Sequence, residues 1–172
     1  DPQDKFKFYK GLASKIDDFS PTLSKNKILP ILLKECANDV RFAPILLTPI
    51  LKNSAQFSNP EFMREVWTPL SFMTTIINPP EVSISLLKNL SSIMDKIDKA
   101  VHKDHVYPIV FAALQSSDPR IHRECLPQLH LIIDEMNEAG IRGQILPRVL
   151  DLASNSTDMK IASSAIYIVR DC

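Results

Sequence analysis

The chain has 172 residues, 45% apolar and 23% charged, with 20 basic residues against 20 acidic ones. That length and composition fit one domain with a substantial core and exclude a disordered chain. Zero net charge leaves no bulk electrostatic drive towards nucleic acid or an anionic membrane, and no apolar run approaches the roughly 20 residues that span a bilayer.

In chain order, Asp1-Pro2-Gln3-Asp4-Lys5 does not read as a signal peptide. The first predicted element is a leading amphipathic helix over 5–19, with Phe6, Tyr9, Leu12, Ala13 and Ile16 on one face, interrupted at Gly11 and closed before Pro21. An internal repeat follows. Pro30, Pro69, Pro108 and Pro147 lie 39 residues apart, each between apolar runs such as Ile28-Leu29-Pro30-Ile31 and Ile145-Leu146-Pro147. A period near 40 with helical patterning predicts stacked helix pairs, because each pair leaves an apolar face that only its neighbour can cover. The units run over about 25–56, 60–97, 102–137 and 141–172. Each repeated proline removes a backbone hydrogen bond and crowds the carbonyl four residues back, so a kinked or late-starting first helix is expected in every unit.

Unit one breaks near Asn38-Asp39. In unit two, Asn78-Pro79-Pro80 opens a second helix whose Val82, Leu86, Leu90, Ile93, Met94 and Ile97 share a face. Unit three has a first helix over 102–115 and a turn at Ser116-Ser117-Asp118-Pro119, where Asp118 caps and Pro119 takes the first helical position. Its second helix aligns Ile121, Cys125, Leu129, Ile132, Ile133 and Met136, and Pro127 should bend it. Unit four breaks at Asn155-Ser156-Thr157-Asp158. The fold class read from this is all-α: an α-solenoid of about four helix pairs that resemble HEAT repeats, plus the leading helix. In HEAT repeats a small core residue follows the turn, and Cys125 and either Ala162 or Ala165 suit that position. The end at Arg170-Asp171-Cys172 lacks the polar cap of a solenoid, which gives the expectation of a segment from a longer chain.

Little catalytic chemistry is legible. Three glycines, Gly11, Gly140 and Gly143, cannot build a phosphate-cradling loop, and no cofactor is expected. His102-x-x-His105 and His122-x-x-Cys125 have spacings that zinc sites use, but Cys125 sits in a core slot, so no metal is expected. His122-Arg123-Glu124 reads as a solvated helix face. Three cysteines at long spacings, Cys36, Cys125 and Cys172, form no disulfide framework and suit a reducing, cytosolic compartment. Trp67 reads as core rather than as a partner's anchor. The basic residues of the second helices, Lys88, Lys96, Arg120, Arg123, Lys160 and Arg170, are the candidate partner-binding stripe, diluted by Asp95, Asp98, Glu124 and Asp134.

Phe8-Tyr9-Lys10-Gly11-Leu12, followed by Asn26-Lys27-Ile28-Leu29-Pro30-Ile31-Leu32 and Val40-Arg41-Phe42-Ala43-Pro44, resembles the start of the HEAT region of the Scy-like pseudokinases, coated-vesicle-associated type. The resemblance continues through Val106-Tyr107-Pro108-Ile109-Val110 and Ile145-Leu146-Pro147-Arg148. It implies a non-catalytic protein-binding scaffold C-terminal to a degenerate kinase domain, with clathrin, coat or adaptor components as partners. Its expected place is the cytoplasm, peripheral at the Golgi, trans-Golgi network, endosomes or coated vesicles. Two alternatives stand beside it: an RNA carrier of the tRNA-export kind, disfavoured by the neutral charge, and a generic HEAT module for tubulin or cargo.

Overall fold

The computed structural model describes residues 2–171, the side chains of residues 2, 17 and 171 excepted; Asp1 and Cys172 lie outside the described residues. All regular structure among them is helical. Helix α1 (Pro2–Ser14) leads. It runs straight through Gly11, so the interruption expected there is absent. A single glycine costs a helix only about 1 kcal/mol relative to alanine, and Tyr9, buried on the inner face, together with Ile16 just past the helix end, holds the helix down.

Each unit then contributes a first helical arm and a second. The segments that carry the stacking are α2 (Leu29–Asn38) and α3 (Ala43–Asn53) in unit one, and the short α4 (Thr68–Leu70) and α5 (Pro80–Lys88) in unit two. Unit three has α6 (Tyr107–Gln115) and α7 (Pro119–Cys125), and unit four has α8 (Leu146–Asn155) and α9 (Met159–Asp171). Within units, α2 packs on α3, α6 on α7 and α8 on α9. Between units, α3 packs on α5, α5 on α7 and α7 on α9, while α2 packs on α4 and α6 on α8. Two layers of helices therefore run side by side in chain order, and α1 packs on α3 at the head of the second layer.

The prolines act in a more specific way than a kink. In units one, two and four a π-helical turn precedes the repeated proline: Ser24–Ile28, Met63–Trp67 and Ile141–Ile145. The residue just before the proline donates five residues back, Leu29 to the Ser24 carbonyl, Thr68 to Met63 and Leu146 to Ile141. The wider turn moves the carbonyl that the pyrrolidine ring would strike. Unit three instead breaks at Val106, between the short helix His102–His105 and α6.

Turn aspartates open the second arms. Asp39 accepts from Arg41 N–H at 3.1 Å, Asp118 from Arg120 N–H at 2.8 Å and Asp158 from Lys160 N–H at 2.9 Å. Each satisfies a donor that the first turn leaves orphaned. At Pro127, where a bend is expected, the second arm is interrupted by a 3-10 turn over Leu126–Gln128. Unit two breaks at the matching place without a proline. Asn89 ends α5, its amide donating to the Ser85 carbonyl at 2.8 Å while its side-chain oxygen lies 3.2 Å from the Thr48 hydroxyl of unit one.

One core runs the length of the stack. Trp67 is fully buried and stacks on Phe62 with centroids 6.5 Å apart. Its indole N–H has no hydrogen-bond partner. Of the two alanines proposed for the small core position of unit four, Ala165 is the buried one.

Candidate partner-binding surface

The six basic residues of the second arms occupy different settings. Lys88 closes α5 and Lys160 lies in the first turn of α9; both are exposed. Lys96 folds back across the junction of units one and two, where its ammonium donates to the carbonyls of Ala55 and Phe57, the latter at 3.0 Å. Arg120 clamps its own turn through Asp118 at 2.8 Å and reaches Glu81 of unit two at 3.0 Å. Arg123, one helical turn on, reaches the other way and binds Asp158 of unit four. Arg170 lies over the Tyr167 ring at 5.3 Å. Helix α7 thus holds both neighbours by charge. Arg120 pulls the Asp118 carboxyl below its usual value, and Arg123 does the same to Asp158.

The histidines are structural in different ways. His102 is buried, with Nε2 at 3.0 Å from the Ile97 carbonyl and 3.2 Å from that of Met94, and Nδ1 at 2.7 Å from Glu135 Oε2. Carbonyl oxygens only accept, so Nε2 carries a proton; the ring ties the end of unit two to the end of unit three. Lys99 stands 3.7 Å from the same carboxylate. Sequence reasoning missed this pair because His102 and Glu135 lie 33 residues apart with a helix break between them. His122 corrects an expectation: it is buried rather than on a solvated face, Nε2 has no partner, and burial lowers its pKa. Arg123 beside it is exposed and Glu124 half-buried.

Cys36 and Cys125 are free and buried, Cys36 with its sulfur 3.8 Å from Met73 Sδ and Cys125 with its sulfur 3.9 Å from the Val110 carbonyl. Burial pushes each thiol up to about 12, so neither supplies a thiolate nucleophile at neutral pH. Among the described residues no three His, Cys, Asp or Glu side chains are grouped to hold a metal ion, and no helix is long and apolar enough to cross a membrane. The concavities are open grooves at unit junctions. One of about 470 Å³ is lined by Thr75, Ile77, Pro108, Phe111, Ala112 and Gln115. Another, of about 400 Å³, lies where Lys25 sits 4.6 Å over the Phe57 ring.

Paired helices in two layers, joined across units by side-chain clasps, define an all-helical protein of stacked units. The chain is 19% identical over 162 residues, 94% of its length, to SCY1-like protein 2 of Homo sapiens and of Mus musculus. It is 23% identical, over 95% of its length, to the protein kinase-like protein SCY1 of Saccharomyces cerevisiae. These similarities relate the chain to the Scy-like family. It spans 17% of the length of the mammalian relatives and 22% of the yeast one. No family model matches the chain, and no solved structure matches it.

Proposed function

We propose that this chain is a non-catalytic, HEAT-like α-solenoid segment of a Scy-like pseudokinase, lying C-terminal to the kinase-like domain and serving as a protein-binding scaffold in clathrin- and coat-dependent Golgi–endosome traffic. The observation that carries the reading is similarity along 94% of the chain to a SCY1-like protein, in a molecule whose helices pair and stack in chain order. Stacked helix pairs present long surfaces to partners rather than enclosed reaction chambers. The internal chemistry agrees, since both thiols are held protonated and both His102 nitrogens are spent on structural contacts. Phosphate binding fits less well, because Lys96, Arg120 and Arg123 are committed to carbonyls and carboxylates of neighbouring units. Of the six basic residues, Lys88 and Lys160 are the ones we assign to partner contact.

The experiment is affinity capture from cytosol with the full-length protein, the same protein lacking residues 1–172, and the isolated segment, with bound proteins identified by mass spectrometry. Clathrin or coat subunits captured by the full-length protein and the segment, and lost on deletion, support the reading. Equal capture by the deleted form removes recognition from these helices, and absence of coat subunits from every capture refutes the trafficking role.

A further inference from the structure

The outward face of α1 is exposed: the Phe8 ring lies edge-on to that of Tyr9 at 5.3 Å, and the Ser14 hydroxyl donates to the Gly11 carbonyl at 2.7 Å within the helix. Helical spacing sets Asp4, Phe8 and Gly11 in one row and Lys7, Lys10 and Ser14 in the next; Lys15 follows in the turn just past the helix, and all seven are exposed. Phe8 is 63% exposed, although Tyr9 beside it is buried against Phe42. Lys7, Lys10 and Lys15 form no hydrogen bond or ion pair through their side chains among the described residues. Lys5, also exposed, is held by Glu35 of α2 at 2.9 Å. At the centre lies Gly11, where a Cβ would meet nothing within 4 Å and φ is not positive. Neither internal packing nor backbone conformation therefore requires glycine, which weakens a helix relative to alanine.

We propose that this face docks an acidic amphipathic helix of a protein partner, crossing α1 at Gly11 with its carboxylates on Lys7, Lys10 and Lys15 and an apolar side chain against Phe8. A bare glycine lets a second backbone approach more closely than any side chain allows. Three unpaired ammonium groups against two exposed carboxylates, Asp4 and Asp18, leave the patch positive, which calls for an anionic complement and steers its approach. An exposed aromatic ring beside them supplies the apolar anchor that interface centres favour. Anionic lipid would answer the lysines and Phe8 equally well. It would gain nothing from Gly11, because a side chain added there would sink into fluid headgroups, so the glycine selects a protein. This site lies apart from the second-arm lysines and does not depend on the trafficking role.

The test places a photo-crosslinking benzoylphenylalanine at position 8 of the full-length protein in cell extract. Cross-linked peptides are sequenced, and the peptide found is synthesised and titrated against variants. A partner peptide with an acidic and an apolar helical face is expected. Its binding should weaken roughly tenfold or more in Lys7→Glu, Lys10→Glu, Lys15→Glu combined, and also in Gly11→Leu. Gly11→Ala should raise the melting temperature, as alanine does in an open helical position, which shows that the fold tolerates the site. Cross-links confined to lipid or to the same polypeptide, a captured peptide without acidic residues, unchanged binding by Gly11→Leu, or no cross-link would each overturn the proposal. So would co-sedimentation with phosphatidylserine vesicles that the lysine reversals abolish and Gly11→Leu leaves intact.

Discussion

Leu126 in unit three and Ile166 in unit four both stand eight residues after their turn aspartates, Asp118 and Asp158, as Leu47 does after Asp39. Leu47 and Leu126 are buried and Ile166 is 59% exposed. One residue earlier the difference vanishes: Leu46, Cys125 and Ala165 are all buried. In unit three the earlier position, Cys125, reaches the Val110 carbonyl of its own first arm, and the turn that holds Leu126 packs on α9 of the next unit. Chemically similar side chains at equivalent places therefore carry different weight, because burial against a neighbour, rather than local sequence, sets the energy.

The strongest way to break this comparison is to empty the interior. Trp67→Ala should lose about 3–5 kcal/mol in chemical denaturation. A small loss would mean that the two layers are not packed around this ring. Leu126→Ala should lose about 2–5 kcal/mol, whereas Ile166→Ala should stay within about 0.5 kcal/mol of the parent. Equal losses would show that the last unit is as well covered as the third.

Protonation sharpens the contrast further, since His122 in unit three corresponds to Ala162 in unit four. Burial lowers the folded-state pKa of His122 below its ordinary 6.5, so the unfolded chain takes up a proton that the folded chain refuses. The stability due to the neutral ring is complete above pH 6.5 and declines as pH falls towards the depressed value. Denaturation midpoints compared at pH 7.5 and 5.5 should fall less in His122→Ala than in the parent. The smallest effect belongs to the clasp. Arg123→Ala should speed amide exchange in α9, whereas Arg120→Ala, which releases Glu81 instead, should leave α9 unchanged. Because Arg123 holds Asp158 below the usual carboxylate value of 3.8, this coupling should persist at neutral and mildly acidic pH. It should disappear only as pH falls through the lowered value.

Much of this was legible in the sequence where one residue type has one strong local effect. The spaced prolines marked the first arms, Asp118 and Asp158 marked the turns, and the apolar sets of 82–97 and 121–136 marked faces that are buried or nearly so. What escaped depends on partners distant along the chain. Nothing local announces that Asn89 breaks a helix, because the break is sealed by Thr48 of the preceding unit. His122 looked solvated beside Arg123 and Glu124, since its burial depends on packing against neighbouring units. The candidate surfaces were the least legible. Lys96 and Arg120 have the composition of a binding stripe, and only the fold brings up the carbonyls and carboxylates that occupy them.

The π-helical turns ahead of Pro30, Pro69 and Pro147 also bear on how such an array tolerates length change. Each accommodates one residue more than an α-turn would in the same place. Deleting a single residue within 24–28 would collapse the wide turn to ordinary α-helical spacing while the helix on either side keeps its register. The deletion would bring the carbonyl four residues back against the Pro30 ring, the clash that the wide turn avoids. Insertions and deletions in this protein should therefore accumulate in the loops between units and be purged from the residues just ahead of Pro30, Pro69 and Pro147, where one amino acid decides whether the ring clears the backbone.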